Sequence, residues 1–138
     1  MAKDYYHQEF LEALQKDEWD VTHDPYDIHI DGVDYAIDFG AEKLIAAQRE
    51  NELVAIELKS FVGPSAVNEF HKAVGQFNDY FVALEEIEPE RTLYLAIPEI
   101  TYLTFFQRPI IQKSLRRVGV KLVIFNPERR KILSWIEL

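Results

Sequence analysis

The chain of 138 residues contains no cysteine, which excludes disulfides, thiolate metal sites and a cysteine nucleophile. Any metal would have to be held by oxygen or imidazole. Glycine is scarce, and the five present form neither a phosphate-binding loop nor a dinucleotide fingerprint. The four histidines, His7, His23, His29 and His71, lack H-E-x-x-H spacing, and there is no G-x-S-x-G, so zinc and serine hydrolases find no footing. No uncharged run approaches the roughly 18 residues of a membrane span. The amino-terminal MAKDYYHQEF has no apolar stretch of the kind a signal peptide needs. These absences lead to the expectation of a soluble, cytoplasmic protein without a membrane partner.

Positive charge is also short, with 15 basic residues against 24 acidic ones and a net charge of −9. That average argues against nucleic acid, whose nonspecific affinity comes from Lys and Arg on phosphates. The distribution argues otherwise. Residues 104–138 carry eight basic residues against two acidic ones (+6), whereas residues 1–103 carry seven against 22 (−15). Such segregation points to a surface for DNA or a charged protein partner, with Arg108, Lys113, Arg116 and Arg117 as candidate contacts. Basic side chains on a solvated helix and turn are the plainer alternative.

What is present suits one domain spanning residues 1–138, 48% hydrophobic and 13% aromatic. DYYHQEFLEALQKDEW predicts a first helix capped by Asp4, with Tyr6, Phe10, Ala13 and Leu14 inward and Glu9 at the border. YDIHIDGVDYAIDF alternates around Asp31-Gly32 and predicts a hairpin. EKLIAAQ continues or follows its second strand, RENE is an expected turn, and ELVAIELK a third strand. Ser65 is placed to cap a long helix in which Val67, Phe70, Val74, Phe77, Phe81 and Leu84 recur as an apolar stripe. TLYLAIP reads as an interior strand, residues 109–118 as a helix, and VKLVIF and KILSWIEL as final strands. The expected order is αβββαβ(α)ββ. The apolar terminal strand is compatible with the edge of a homodimer and equally with a monomeric sheet.

Within ELVAIELKSF, Glu57 and Lys59 interrupt an apolar run. Alternation puts both on one face of the strand. They suit a salt-bridged pair at a strand end, or half of a metal site. Together with the element order, Glu57-Leu58-Lys59 resembles the E-x-K of the PD-(D/E)xK nuclease-like fold, a restriction-endonuclease-like α/β three-layer sandwich with a mixed central sheet. The resemblance implies Asp38 as the second-strand acid, with Glu42 or Asp34 as alternatives. It also implies Glu9 as a first-helix acid, and Gln76 with Tyr80 as the Q-x-x-x-Y of the following helix. The site it implies is Asp38, Glu57, Lys59, Glu9 and Gln76, with Mg²⁺ or Mn²⁺ held by Asp38 and Glu57. No proline precedes Asp38, a departure from that pattern.

A narrower resemblance covers most of the chain. THDPYDIHI, VDYAIDFGAEKLIAAQ, ELVAIELKSFVGPS, AVGQFNDY, ALEEIEPERTLYLAIP and FFQRPIIQ are similar to the XisH proteins of cyanobacteria. XisH proteins are named as controlling factors for excision of the fdxN element during heterocyst differentiation. That implies action alongside a site-specific recombinase and the small partner XisI. Taken with the nuclease-like resemblance, the expectations are a metal-dependent deoxyribonuclease acting in or controlling DNA excision, a nuclease restrained until XisI joins it, or a non-catalytic adaptor for a partner protein or DNA.

Overall fold

In the computed structural model, which describes residues 3–45 and 50–138, the first helix α1 (His7–Lys16) buries Phe10, Ala13 and Leu14, as the periodicity predicts. Its start differs from expectation. Tyr6 occupies the cap position without a side-chain cap bond, and the Asp4 carboxylate accepts instead from the backbone N–H groups of Tyr6 (3.1 Å) and Ser60 (3.2 Å). Asp4 therefore ties the amino terminus to the end of a distant strand.

Among the described residues five strands lie between α1 and the next helix, where three were expected. They are β1 (Asp20–His23), β2 (Tyr26–Ile30), β3 (Val33–Ile37), β4 (Phe39–Ile45) and β5 (Glu50–Leu58). The Asp31-Gly32 turn forms between β2 and β3 with φ of 51° and 75°, the left-handed pair that a two-residue hairpin demands. One of the two extra strands is β1, in a stretch where no strand was expected; the other arises at Asp38, a single residue between β3 and β4, where the chain leaves the hairpin and enters the main sheet. Of the expected RENE turn, Glu50 to Glu52 belong to β5, while Arg49 lies with residues 46–48 outside the described residues.

The main sheet runs β1-β4-β5-β6-β7-β8, with β6 (Thr92–Pro98), β7 (Lys121–Asn126) and β8 (Lys131–Glu137) completing it. β5, β6 and β7 are parallel and the outer pairings antiparallel, so the sheet is mixed. Parallel neighbours need crossovers, supplied by α2 (Ala66–Ile87) between β5 and β6, and by α3 (Glu99–Leu103), a short turn at Phe105–Gln107 and α4 (Pro109–Val118) between β6 and β7. Ser65 caps α2 by accepting from the Asn68 N–H, and Gly119 ends α4 with a φ of 83°.

Each face of the sheet has its own core. α1 packs with Phe39, Ile56, Phe125 and Trp135 on one side; α2, the Phe105–Phe106 turn, α4 and the hairpin pack on the other. Gly40 in β4 permits the hairpin to lie close, since a Cβ there would sit 2.8 Å from the Tyr26 ring and 3.0 Å from the His23 imidazole. Buried Arg91 fastens the sheet from below, donating to the carbonyls of Val54 (2.8 Å) and Ala41 (3.4 Å) and to the Glu88 carboxylate. The stripe on α2 is rotated from the one predicted. Phe70, Ala73, Phe77, Tyr80 and Leu84 are buried, whereas Val67 and Phe81 are exposed. The hairpin is the cause, because Tyr35 meets Tyr80 edge-on at 6.0 Å and draws that side of the helix inward. Among the described residues no helix is long and apolar enough to cross a membrane.

Candidate functional site

β5 delivers Glu57 and Lys59 to one face at its carboxyl end, where clefts form beyond parallel strands. Their side chains meet, with Lys59 Nζ 3.4 Å from Glu57 Oε2. Asp38 locks against the same strand. Its N–H donates to Glu57 Oε1 (3.2 Å), and its Oδ2 accepts from the Leu58 N–H (2.8 Å). These reciprocal bonds stand where β4 has no further residue to continue the ladder with β5, whose last pair is Phe39 with Ile56. The break between β3 and β4 and the placement of Asp38 are therefore one feature.

A cavity of about 170 Å³ opens over this pair, walled by Asp4, Lys59, Gln76 and Tyr80 as well as the two carboxylates. Gln76 and Tyr80 come from successive turns of α2, on the side facing the sheet. Gln76 Oε1 is buried and has no hydrogen-bond partner among the described residues. Burial, reinforced by the Asp38 charge, pushes the Glu57 carboxyl up to about 8, against the opposing pull of Lys59. Burial likewise raises Asp38, opposed by the Leu58 N–H, and raises Asp4. Tyr80 is pushed up by burial and by the Glu57 and Asp38 charges. Lys3 and Lys59 both line the cleft, so three acids face two lysines, and burial holds a proton on Glu57 at neutral pH.

Of the three acids weighed as partner to Glu57, only Asp38 reaches it. Asp34 is exposed on the hairpin, 2.6 Å from His29, and Glu42 faces Asn51 further up β4. Glu9 is not brought into the cleft. α1 packs on the opposite side of the sheet, and Glu9 sits half-buried within electrostatic reach of Tyr6 and Arg130. The acid that arrives from the amino-terminal segment is Asp4, whose position in the sequence predicts a helix cap. Its tie to Ser60, 56 residues away, leaves no local signal. Arg108, Lys113, Arg116 and Arg117 lie on or beside α4, exposed and away from the cleft.

The donor set suits a hard divalent cation. Two carboxylates with raised proton affinity and an unpartnered amide oxygen are oxygen ligands in surplus, and Mg²⁺ needs only one or two carboxylates because it keeps several waters. Among the described residues no three His, Asp or Glu side chains are grouped to enclose an ion by themselves. An ion here would be held by Asp38 and Glu57 and completed by water.

A mixed-sheet α/β protein with an acid–acid–lysine cleft at the carboxyl end of a central strand is the class that fold and site define. The family model described as XisH protein matches residues 1–133, and the chain belongs to that family. Two solved structures are similar. One is an XisH family protein from Nostoc punctiforme PCC 73102, 42% identical, with a TM-score of 0.87 over 96% of this chain and 99% of that one. The other is an fdxN element excision controlling factor protein from Anabaena variabilis, 39% identical, with a TM-score of 0.86 over 95% of this chain and 97% of that one. No curated protein matches the chain.

Proposed function

We propose that this chain is a controlling factor for excision of a DNA element by site-specific recombination, acting through a divalent-metal-dependent phosphodiester site of the PD-(D/E)xK, restriction-endonuclease-like kind. The convergence of Asp38, Glu57 and Lys59 at the end of β5 carries this reading. Family membership and the name of the Anabaena variabilis relative support the biological setting. A bound Mg²⁺ or Mn²⁺ would polarise the scissile phosphodiester and lower the pKa of an attacking water. Asp38 and Glu57 would hold the ion. Lys59 stabilises the developing phosphorane charge or orients the water, and Gln76 offers an amide to the same space. The Leu58 N–H and the Asp38 N–H keep both carboxylates in place before substrate arrives.

A second reading keeps the fold and discards the chemistry, leaving a regulator that binds XisI, a recombinase or DNA. One observation favours it: both acids already have protein partners, Glu57 in Lys59 and Asp38 in the Leu58 N–H. Calorimetric titration with Mn²⁺ separates the two. On the catalytic reading the wild-type chain binds Mn²⁺, Asp38→Ala and Glu57→Ala do not, and duplex DNA is cut only where Mn²⁺ binds. Absence of binding with XisI and duplex DNA both present would leave the regulator.

A further inference from the structure

We propose that the groove between α2 and α4 receives an amphipathic helix with an acidic flank, supplied by a partner protein. α2 carries more apolar surface than its own core uses. Val67, Val74 and Phe81 recur every seven residues beside Phe70, Phe77 and Leu84, the spacing of a helix–helix seam. Phe70, Phe77 and Leu84 are buried, while Val67 and Phe81 stay 46% and 48% exposed. Val118 of α4, which lines a cavity together with Phe70 and Val74, is 39% exposed. Between the helices lies an open cavity of about 800 Å³, floored by Phe70, Val74 and Val118. A smaller cleft lies further along α2, lined by Phe77, Phe81, Gly119 and Lys121. From Phe70 to Phe81, the span of α2 that lines the two, the helix rises about 16 Å, three turns.

Gly75 lies on this groove, inside a 22-residue helix, and a Cβ there would meet nothing within 4 Å. Alanine is the better helix former, so this chain's own packing gives no reason for the glycine. An incoming helix does, because a bare backbone permits close approach. The opposite wall selects the sign of the partner. Lys113 and Arg117 stand one turn apart on α4, and neither forms an ion pair among the described residues. In a chain of net charge −9, two such cations beside an apolar floor match an acidic, amphipathic segment. A duplex would satisfy the charges and leave the floor uncovered. Gln76 lies about 200° round α2 from Val74, so groove and cleft are separate surfaces. The inference holds whether or not the cleft is catalytic.

The test is an amide-shift NMR titration of the full chain with three probes. They are a Leu/Glu amphipathic peptide of about five turns, a Leu/Lys peptide with the same apolar face, and a short duplex DNA. The Leu/Glu peptide is expected to perturb residues 67–81 and 113–121 and to bind about ten-fold or more tighter than its Leu/Lys counterpart. The double variant Lys113→Glu/Arg117→Glu, and separately Gly75→Leu, should each weaken it by a similar factor. Gly75→Leu should keep the wild-type unfolding midpoint or exceed it, since the position is exposed; Lys113→Glu/Arg117→Glu puts acid in the last turn of α4 and should lower it slightly, so binding is compared where both variants are fully folded. Absent perturbation of the groove, equal binding of both peptides, unchanged binding by the variants, or displacement of the Leu/Glu peptide by duplex would each overturn the proposal.

Discussion

Glu57→Gln is expected to stabilise the fold above neutral pH and to abolish cation binding at the same time. Burial and the Asp38 charge raise the Glu57 carboxyl from 4.5 to about 8, so the folded chain holds this proton more tightly than the unfolded chain does. For a carboxyl shifted upward, the stabilising contribution is complete below the unfolded value and is lost as pH rises through the folded one. At about 1.4 kcal/mol per pKa unit, the whole swing is on the order of 4–5 kcal/mol, of which roughly two-thirds is gone at pH 7. Glu57→Gln removes this linkage and keeps an oxygen for the Asp38 N–H, but it forfeits the attraction of Lys59 at 3.4 Å. The balance is a gain of about 1–3 kcal/mol near pH 8, falling to near zero around pH 4. Urea unfolding between those limits measures it. Added Mg²⁺ or Mn²⁺ should raise wild-type stability and flatten its loss with pH, and leave Glu57→Gln unmoved. A variant less stable than wild type near pH 8 without metal would refute the reasoning, because the Lys59–Glu57 pair would then be a net structural contact.

Lys59→Met removes the cation that lowers both Glu57 and Asp38. The pH at which wild-type stability falls should move upward, Mn²⁺ affinity should hold, and DNA cleavage should drop by about 100-fold or more; parallel calorimetry and nicking assays check this. Gly40→Ala forces a Cβ to 2.8 Å from the Tyr26 ring and should cost about 1–3 kcal/mol in chemical denaturation, with the hairpin amides losing exchange protection first. Arg91→Met strands the Glu88 carboxylate, which also accepts from Tyr26 Oη at 2.5 Å, and leaves the Val54 carbonyl unpaired. A loss of about 3–5 kcal/mol is expected, read from the urea midpoint. Ser65→Ala deletes the bond to the Asn68 N–H and should cost about 1 kcal/mol by the same measurement.

The candidate site was legible wherever local pattern sufficed. Strand alternation put Glu57 and Lys59 on one face, and helical spacing put Gln76 and Tyr80 one turn apart, because both periods are properties of the backbone itself. Asp38 could be named but not separated from Asp34 and Glu42, since choosing among them requires knowing where the hairpin ends and the sheet begins. Glu9 and Asp4 exchanged places for a similar reason. Which acid faces the cleft depends on the side of the sheet that α1 covers, and on a bond from Asp4 to Ser60 across 56 residues.

By itself the sequence determined the Asp31-Gly32 hairpin, the capped start of α2, the interior strands β6 and β7, and the acid–leucine–lysine run, all of which rest on contacts or torsions within a few residues. Tertiary structure decided what those elements share. It split the hairpin from the main sheet at Asp38 and turned Tyr80 inward and Phe81 outward through contact with Tyr35. It also gathered Asp4, Asp38, Glu57 and Gln76, spread over 72 positions of the chain, around one cavity. Burial follows from that packing alone, and it is burial that raises the Glu57, Asp38 and Asp4 carboxyls.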